Sequence, residues 1–344
     1  MTARRARIGS FTSEGGRGII TASVEPGTGA LRELSVSEAV ADPSFLVVDE
    51  ASGLLYTVGE HADGRVAALR LAQDTVEPLA PPVPVDGDDP TYLALADGRV
   101  FTANYGSGSV SMLALDEAGA PVGPPAVLQF TGSGPNRERQ EGPHAHWVQP
   151  DPSGRWLLSV DLGSDRVRVC RLVDGALSVH SEVELRPGSG PRHLAFHPRG
   201  GHAYLVNELA PTVTVLAWDD EAGKLTALGE TDLLPVGAED AADSLPSGIA
   251  VAPDGRHLYI AIRGHDSISV LSIDETGGEL RLRASVPCGG DWPRAISLDP
   301  EGRHLYVANQ RAGGVTWFTL DAATGLPAPA GSLPAPASSC VVFG

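Results

Sequence analysis

The stretch PRAISLDPEGRHLYVANQRAGGVTWFTL (293–320) decides the fold. A proline opens an apolar run, PRAISL (293–298), which stops at DPEGR (299–303). Asp, Pro and Gly supply the backbone angles of a tight turn, so the chain should reverse there. A second run, LYVANQ (305–310), and a third, GGVTWFTL (313–320), follow at once. The third alternates apolar and polar residues with period two, as a half-buried strand does.

The same order recurs along the chain. Copies begin at Pro43, Pro90, Pro143, Pro191, Pro246 and Pro293, with spacings of 47, 53, 48, 55 and 47 residues. Their second runs are LYTVGE (55–60), VFTANY (100–105), WLLSVD (156–161), AYLVNE (203–208), LYIAIR (258–263) and LYVANQ. Four short strands in about 50 residues is the period of a propeller blade. Six copies are complete. The tail PASSCVVF (336–343) reads as a first strand, and the head ARIGSFT (6–12) with GIITASVE (18–25) as strands two and three. Joining them in one blade gives an all-β, seven-bladed propeller in one domain spanning 1–344, whose closure removes the exposed sheet edges that an open array would carry. The acidic segment GAEDAAD (237–243), which lengthens one repeat, is expected at the rim.

Composition narrows the function. With 25 basic and 43 acidic side chains in 344 residues the net charge is −18, which argues against nucleic acid or an anionic membrane as partner. No apolar run is long enough to span a bilayer, and the first ten residues lack the apolar core of a signal peptide. Cys170, Cys288 and Cys340 are too few and too scattered for a disulfide or zinc framework. A cytoplasmic protein, monomeric or a weak homodimer, is expected.

The repeat also maps a site. The start of the first strand and the end of the second share one face of the disc, near the central channel. The second-strand ends are Glu60, Tyr105, Asp161, Glu208, Arg263 and Gln310, and the first-strand starts include His144, Arg192 and Arg294. The apolar centre of each repeat is uniform, whereas these ends differ from copy to copy and are mostly polar, as a binding face on a symmetric scaffold should be. His144, Arg192, Glu208 and Arg263 put an imidazole, two guanidiniums and a carboxylate around one mouth. Guanidiniums suit a carboxylate, phosphate or oxyanion, and the other two groups can move a proton. A salt-bridged, water-filled channel is the structural alternative.

Other features carry less. The HAH stretch (144–146) is expected to turn its imidazoles to opposite faces, which disfavours a shared zinc ion, and His193 to point away from Arg192. The histidines at 180, 197, 202, 257, 265 and 304 are expected at the surface. GSGS (106–109) opens no helix and is no phosphate loop, no GxSxG elbow occurs, and DGDD (86–89) lacks the later ligands of a calcium loop.

The segments RQEGPHAHWVQPDPSGRWLLSVDLGSDRV (139–167), GPRHLAFHPRGGHAYLVNELAPTVTVL (190–216), RGHDSISVL (263–271) and 293–310, with IGSFTSEGGRGI near the start and PSFL (43–46), resemble the bacterial propeller-type 6-phosphogluconolactonases over nearly the whole chain. That fold family includes a fungal carboxymuconate cyclase with a proposed site of one His, two Arg and one Glu. By motif these fall on His144, Arg192, Glu208 and Arg263, the four already singled out. The family's usual Asn before the last arginine is Ile262 here.

The resemblance implies a metal-free and cofactor-free lactonase for a small anionic lactone: 6-phosphogluconolactone, opened to 6-phosphogluconate in the pentose phosphate pathway. Glu208 is expected as general base, Arg192 and Arg263 on the oxyanion or phosphate, and His144 as proton donor to the leaving ring oxygen or as an orienting group. His146, Arg139, Tyr105, Asp161, Arg294 and Gln310 complete the expected substrate-binding set, with Arg139 and Arg294 as candidates for a 6-phosphate. A muconate-type cycloisomerase, a lactonase for another sugar acid, and a non-catalytic binding propeller are the alternatives.

Overall fold

A computed structural model describes residues 4–173, 175–238, 244–312 and 314–344. Residues 239–243 of the acidic segment therefore lie outside the described residues. Seven antiparallel sheets follow one another around a ring. Six are made from consecutive strands. The seventh joins Ser338–Phe343 to Arg5–Ser10, Ile19–Val24 and Leu31–Ser37, so the tail supplies the first strand and the head the others. The ring closes as the repeat requires.

The first strands are Ser338–Phe343, Leu46–Asp49, Pro90–Ala96, Ala145–Pro150, Pro191–Phe196, Leu245–Val251 and Pro293–Leu298. Each touches the first strands of both neighbouring blades, all the way round, so these strands wall the central channel. In the blade that begins at Leu46 the fourth strand is split into Val76–Pro78 and Val83–Pro84. The intervening PLAPPVP run explains the break, because proline has no N–H to give a ladder.

The core is a ring of interfaces rather than one centre. Seven apolar clusters each bridge two adjacent blades, as where Ile8 and Ile20 meet Tyr306 and Trp317 across the closure. A repeated latch reinforces them. The tyrosine of the second strand donates its hydroxyl to a turn carbonyl of the next blade: Tyr56 to Gly119, Tyr204 to Gly277, Tyr259 to Gly325 and Tyr306 to Gly29. Such a bond satisfies a phenol that burial would otherwise penalise. Two of the histidines expected at the surface belong to this layer. His197 and His304 are buried, against the Gly255 carbonyl and the Asp299 carboxylate.

The second strands carry a further pattern. Asn104, Asn207 and Asn309 are buried near their ends, and each side-chain amide donates to Ser or Thr hydroxyls of the third strand. By ladder position Asp161 and Ile262 are their counterparts. Ile262 is fully buried in an apolar cluster and cannot make the bond, and Ser267 instead meets His265 Nδ1 at 2.7 Å.

Candidate active site at the channel mouth

One carboxylate organises the site. Glu208 follows the second strand His202–Asn207, and its side chain is only 2% exposed. Three guanidiniums surround it. Arg139 Nη2 donates to Oε1 at 2.5 Å. Arg263 Nη2 lies 2.7 Å from Oε2, and Arg192 Nε lies 2.9 Å from the same oxygen but too obliquely for a hydrogen bond. Burial would raise the Glu208 pKa, but the charges of Arg263, Arg192 and Arg139 outweigh it and hold the group at about 2.

A second ion pair completes the ring. Arg294 Nη2 lies 3.2 Å from Glu60 Oε1, its guanidinium rests 4.7 Å from the Phe11 ring centre, and Glu60 also accepts from Ser44 Oγ. Among the described residues four guanidiniums share two carboxylates in these ion pairs, two positive charges more than the pairs neutralise, in a chain of net −18. Burial, and then the neighbouring Arg263, press the Arg192 pKa well down from its ordinary value. A guanidinium stays charged nonetheless. Glu208 offsets part of the cost of holding it there.

His144 stands at the edge of this cluster. Its ring stacks on Tyr105 at 4.5 Å, and its Nδ1 lies 2.9 Å from the Tyr105 carbonyl. A carbonyl only accepts, so Nδ1 carries the hydrogen, and Nε2, 3.2 Å from Glu141 Oε1, is the nitrogen that gains or loses a proton, donating to that carboxylate when it holds one. Tyr105 Oη in turn receives a bond from Arg139 at 3.3 Å, which ties the imidazole to the Glu208 group. Glu141 was not foreseen, although it stands in the EGPH segment, three residues before His144.

Three expectations are corrected. Residues two apart on a strand share a face, and both imidazoles of the HAH stretch do meet Tyr105, His146 edge-on at 5.5 Å. His193 does not turn from Arg192. Irregular pairing between Pro191 and Leu194 breaks the alternation, and Arg192 Nη1 lies 3.3–3.4 Å from both ring nitrogens of His193. Burial and Arg192 lower the pKa of His193 and of His146 well below 6.5, so both are neutral near pH 7. Asp161 is no part of the mouth. It is fully buried, accepts from the His144 and Gly163 amides and from Ser164, and pairs with Arg168. Taking WLLSVD as its second run set that blade one residue out of step; the counterpart of Tyr105 and Glu208 there is Leu162. Gln310 sits beside the mouth but donates to Glu14.

The fold and this mouth define a class: a propeller that gathers buried arginines around a carboxylate at one end of its channel. The chain belongs to the lactonase, 7-bladed beta-propeller family, whose model matches residues 5–343. It is 33% identical to the 6-phosphogluconolactonase of Bacillus subtilis, over 94% of this chain and 93% of that one. Among solved structures, a protein from Lactobacillus plantarum superposes with a TM-score of 0.92 at 29% identity, over 99% of both chains. The periplasmic gluconolactonase of Pseudomonas aeruginosa superposes with a TM-score of 0.89 at 27% identity, over 99% of this chain and 98% of that one.

Proposed function

We propose that the protein hydrolyses 6-phosphogluconolactone to 6-phosphogluconate. The observation that carries the reading is the excess of guanidinium over carboxylate charge in the described ion pairs around Glu208 and Glu60, with Arg192 and Arg263 buried. Lactone opening develops negative charge on the carbonyl oxygen, and Arg192 and Arg263 stand where preformed positive charge would stabilise it. The likeness to the Bacillus enzyme supports the phosphorylated substrate. Likeness to the Pseudomonas gluconolactonase favours a second reading, an unphosphorylated sugar lactone at the same site.

The proton roles in this reading divide between Glu208 and His144. Glu208, held at about 2, is a weak base, so its task is to fix three arginines rather than to activate water. His144 Nε2 takes the proton of the attacking water as the new C–O bond forms. The same nitrogen returns it to the ring oxygen as the acyl–oxygen bond breaks, and the second proton of the water stays on the new carboxyl group, which releases it to solvent as the carboxylate forms. Among the described residues no helix is long and apolar enough to cross a membrane. The reading places the reaction in the cytoplasm, and the three buried, unpaired cysteines fit a reducing compartment.

The test is hydrolysis of freshly generated 6-phosphogluconolactone, coupled to 6-phosphogluconate dehydrogenase and corrected for spontaneous opening. A rate above background that collapses in His144→Gln supports the reading. No excess rate with folded protein, on this lactone or on gluconolactone, overturns it.

A further inference from the structure

The arginines expected to hold a phosphate, Arg139 and Arg294, are each committed to a carboxylate. Arg311 is not. Among the described residues no carboxylate pairs with it, in a chain where acidic groups outnumber basic ones 43 to 25. It follows the second strand His304–Asn309, on the same face as Arg263 and Arg294. Its guanidinium carbon lies 3.4 Å from the ring centre of Trp292, flat against the indole, and Arg263 approaches the same ring at 5.6 Å. Trp292 is therefore the wall between Arg311 and the Glu208 cluster.

Trp292 has a left-handed backbone, φ 64°, as do Asp42, Asp89, Gly190 and Ala337 at the same position of other blades, so the turn belongs to the scaffold and the indole is what this blade adds. The backbone N–H of Trp292 donates to Asp266 Oδ1 at 2.9 Å, and its carbonyl receives the Gln310 N–H at 3.0 Å, so both backbone groups are fixed. Stacking on an indole occupies the face of a guanidinium and leaves its edge of N–H donors free, and that edge matches two phosphate oxygens.

Resting on the lactonase reading above, we propose that Arg311, stacked on Trp292, binds the phosphate at the far end of a phosphorylated sugar lactone whose carbonyl lies among Arg192 and Arg263. The site would thereby select phosphorylated over unphosphorylated lactones.

The experiment is titration calorimetry with two probes, 6-phosphogluconate and gluconate, on the parent protein, Arg311→Gln, Trp292→Leu and Arg294→Gln. The parent should prefer the phosphorylated acid. Arg311→Gln should weaken 6-phosphogluconate about tenfold or more, the loss of a charge-assisted contact, and change gluconate less than about twofold. Trp292→Leu should move in the same direction by less. A parent without preference, an equal loss for both acids, or a preference that vanishes with Arg294→Gln and survives Arg311→Gln overturns the proposal. Binding is read apart from turnover. Selective binding lost in Arg311→Gln, with no hydrolysis by the parent, would sink the lactonase reading and leave the phosphate subsite standing.

Discussion

The two mouths of the channel are built from the same seven strands and could hardly differ more. Where the first strands begin, Arg192, Arg263, Arg294, Glu60 and Glu208 crowd together. Where they end, a cavity of about 660 Å³ opens among Leu46, Val48, Leu93, Leu95 and Val342, with Phe45 stacked on Tyr92 at 3.8 Å on its wall. That cavity also has Asp49, Asp97 and Arg99 among its lining residues, but the cluster of paired arginines and carboxylates is at the other mouth. Volume alone cannot polarise a carbonyl, whereas preformed charge can. An aromatic layer stands between the two: Tyr92 lies 5.9 Å from Trp147 and 5.3 Å from His193, which itself touches Arg192. The scaffold thus insulates a charged end from a greasy one, and catalysis should depend on the first alone.

The largest effect is expected at Glu208. Glu208→Gln leaves three guanidiniums around a neutral amide, two of them buried, and should lower stability by roughly 3–5 kcal/mol, as breaking a buried ion pair does. Denaturant unfolding measures it. The sign with pH is fixed. The folded pKa, about 2, lies below the ordinary 4.5, so this carboxylate stabilises the fold fully above pH 4.5 and loses that contribution as pH falls toward 2. Parent stability should therefore drop more steeply over that window than stability of the Gln variant. Parallel curves would mean that Glu208 is not the hub.

Next comes Arg192→Ala. If this guanidinium meets the developing oxyanion, kcat/KM should fall by about 10²-fold or more. An unchanged rate on an accepted lactone would remove it from the reaction. His144→Gln should lower kcat by about tenfold or more while KM moves little, because the proposed proton transfer matters in the transition state and adds little ground-state binding. A change confined to KM would make His144 an orienting group instead.

How much of this was legible in the sequence follows from what a repeat encodes. The Pro-apolar-turn-apolar unit specified each blade, and the closing blade was readable because PASSCVVF and ARIGSFT are recognisable as its missing pieces. The ring positions came from the same register, and four of them, Tyr105, Glu208, Arg263 and Arg192, do meet through Arg139 and Glu208. Register was also where the reading failed. A blade aligned one residue early put Asp161 in the mouth instead of in the strand brace. Alternation was no guide for His193, because the pairing is irregular between Pro191 and Leu194. The role of Glu208 could not be read at all. Its proton affinity is the outcome of burial opposed by Arg263, Arg192 and Arg139 together, and the last of these reaches it across 69 residues of chain from a loop outside the repeat.

The smallest effect expected is the most direct test of the division between the mouths. Leu95 lies half-buried in the wall of the apolar cavity, on the strand whose other end approaches Tyr105 and the site. Leu95→Gln adds a polar group there without touching any guanidinium. It should cost about 1 kcal/mol of stability, the ordinary price of a core-edge substitution, and alter kcat/KM less than about twofold. The electrostatic reason is distance and screening by the layer of Tyr92, Trp147 and His193, which lies between this residue and Arg192. A loss of activity rivalling that of Arg192→Ala, in protein that unfolds as cooperatively as the parent, would mean that substrate enters from or extends into the apolar end. The channel would then be one continuous site, with the arginines at its floor.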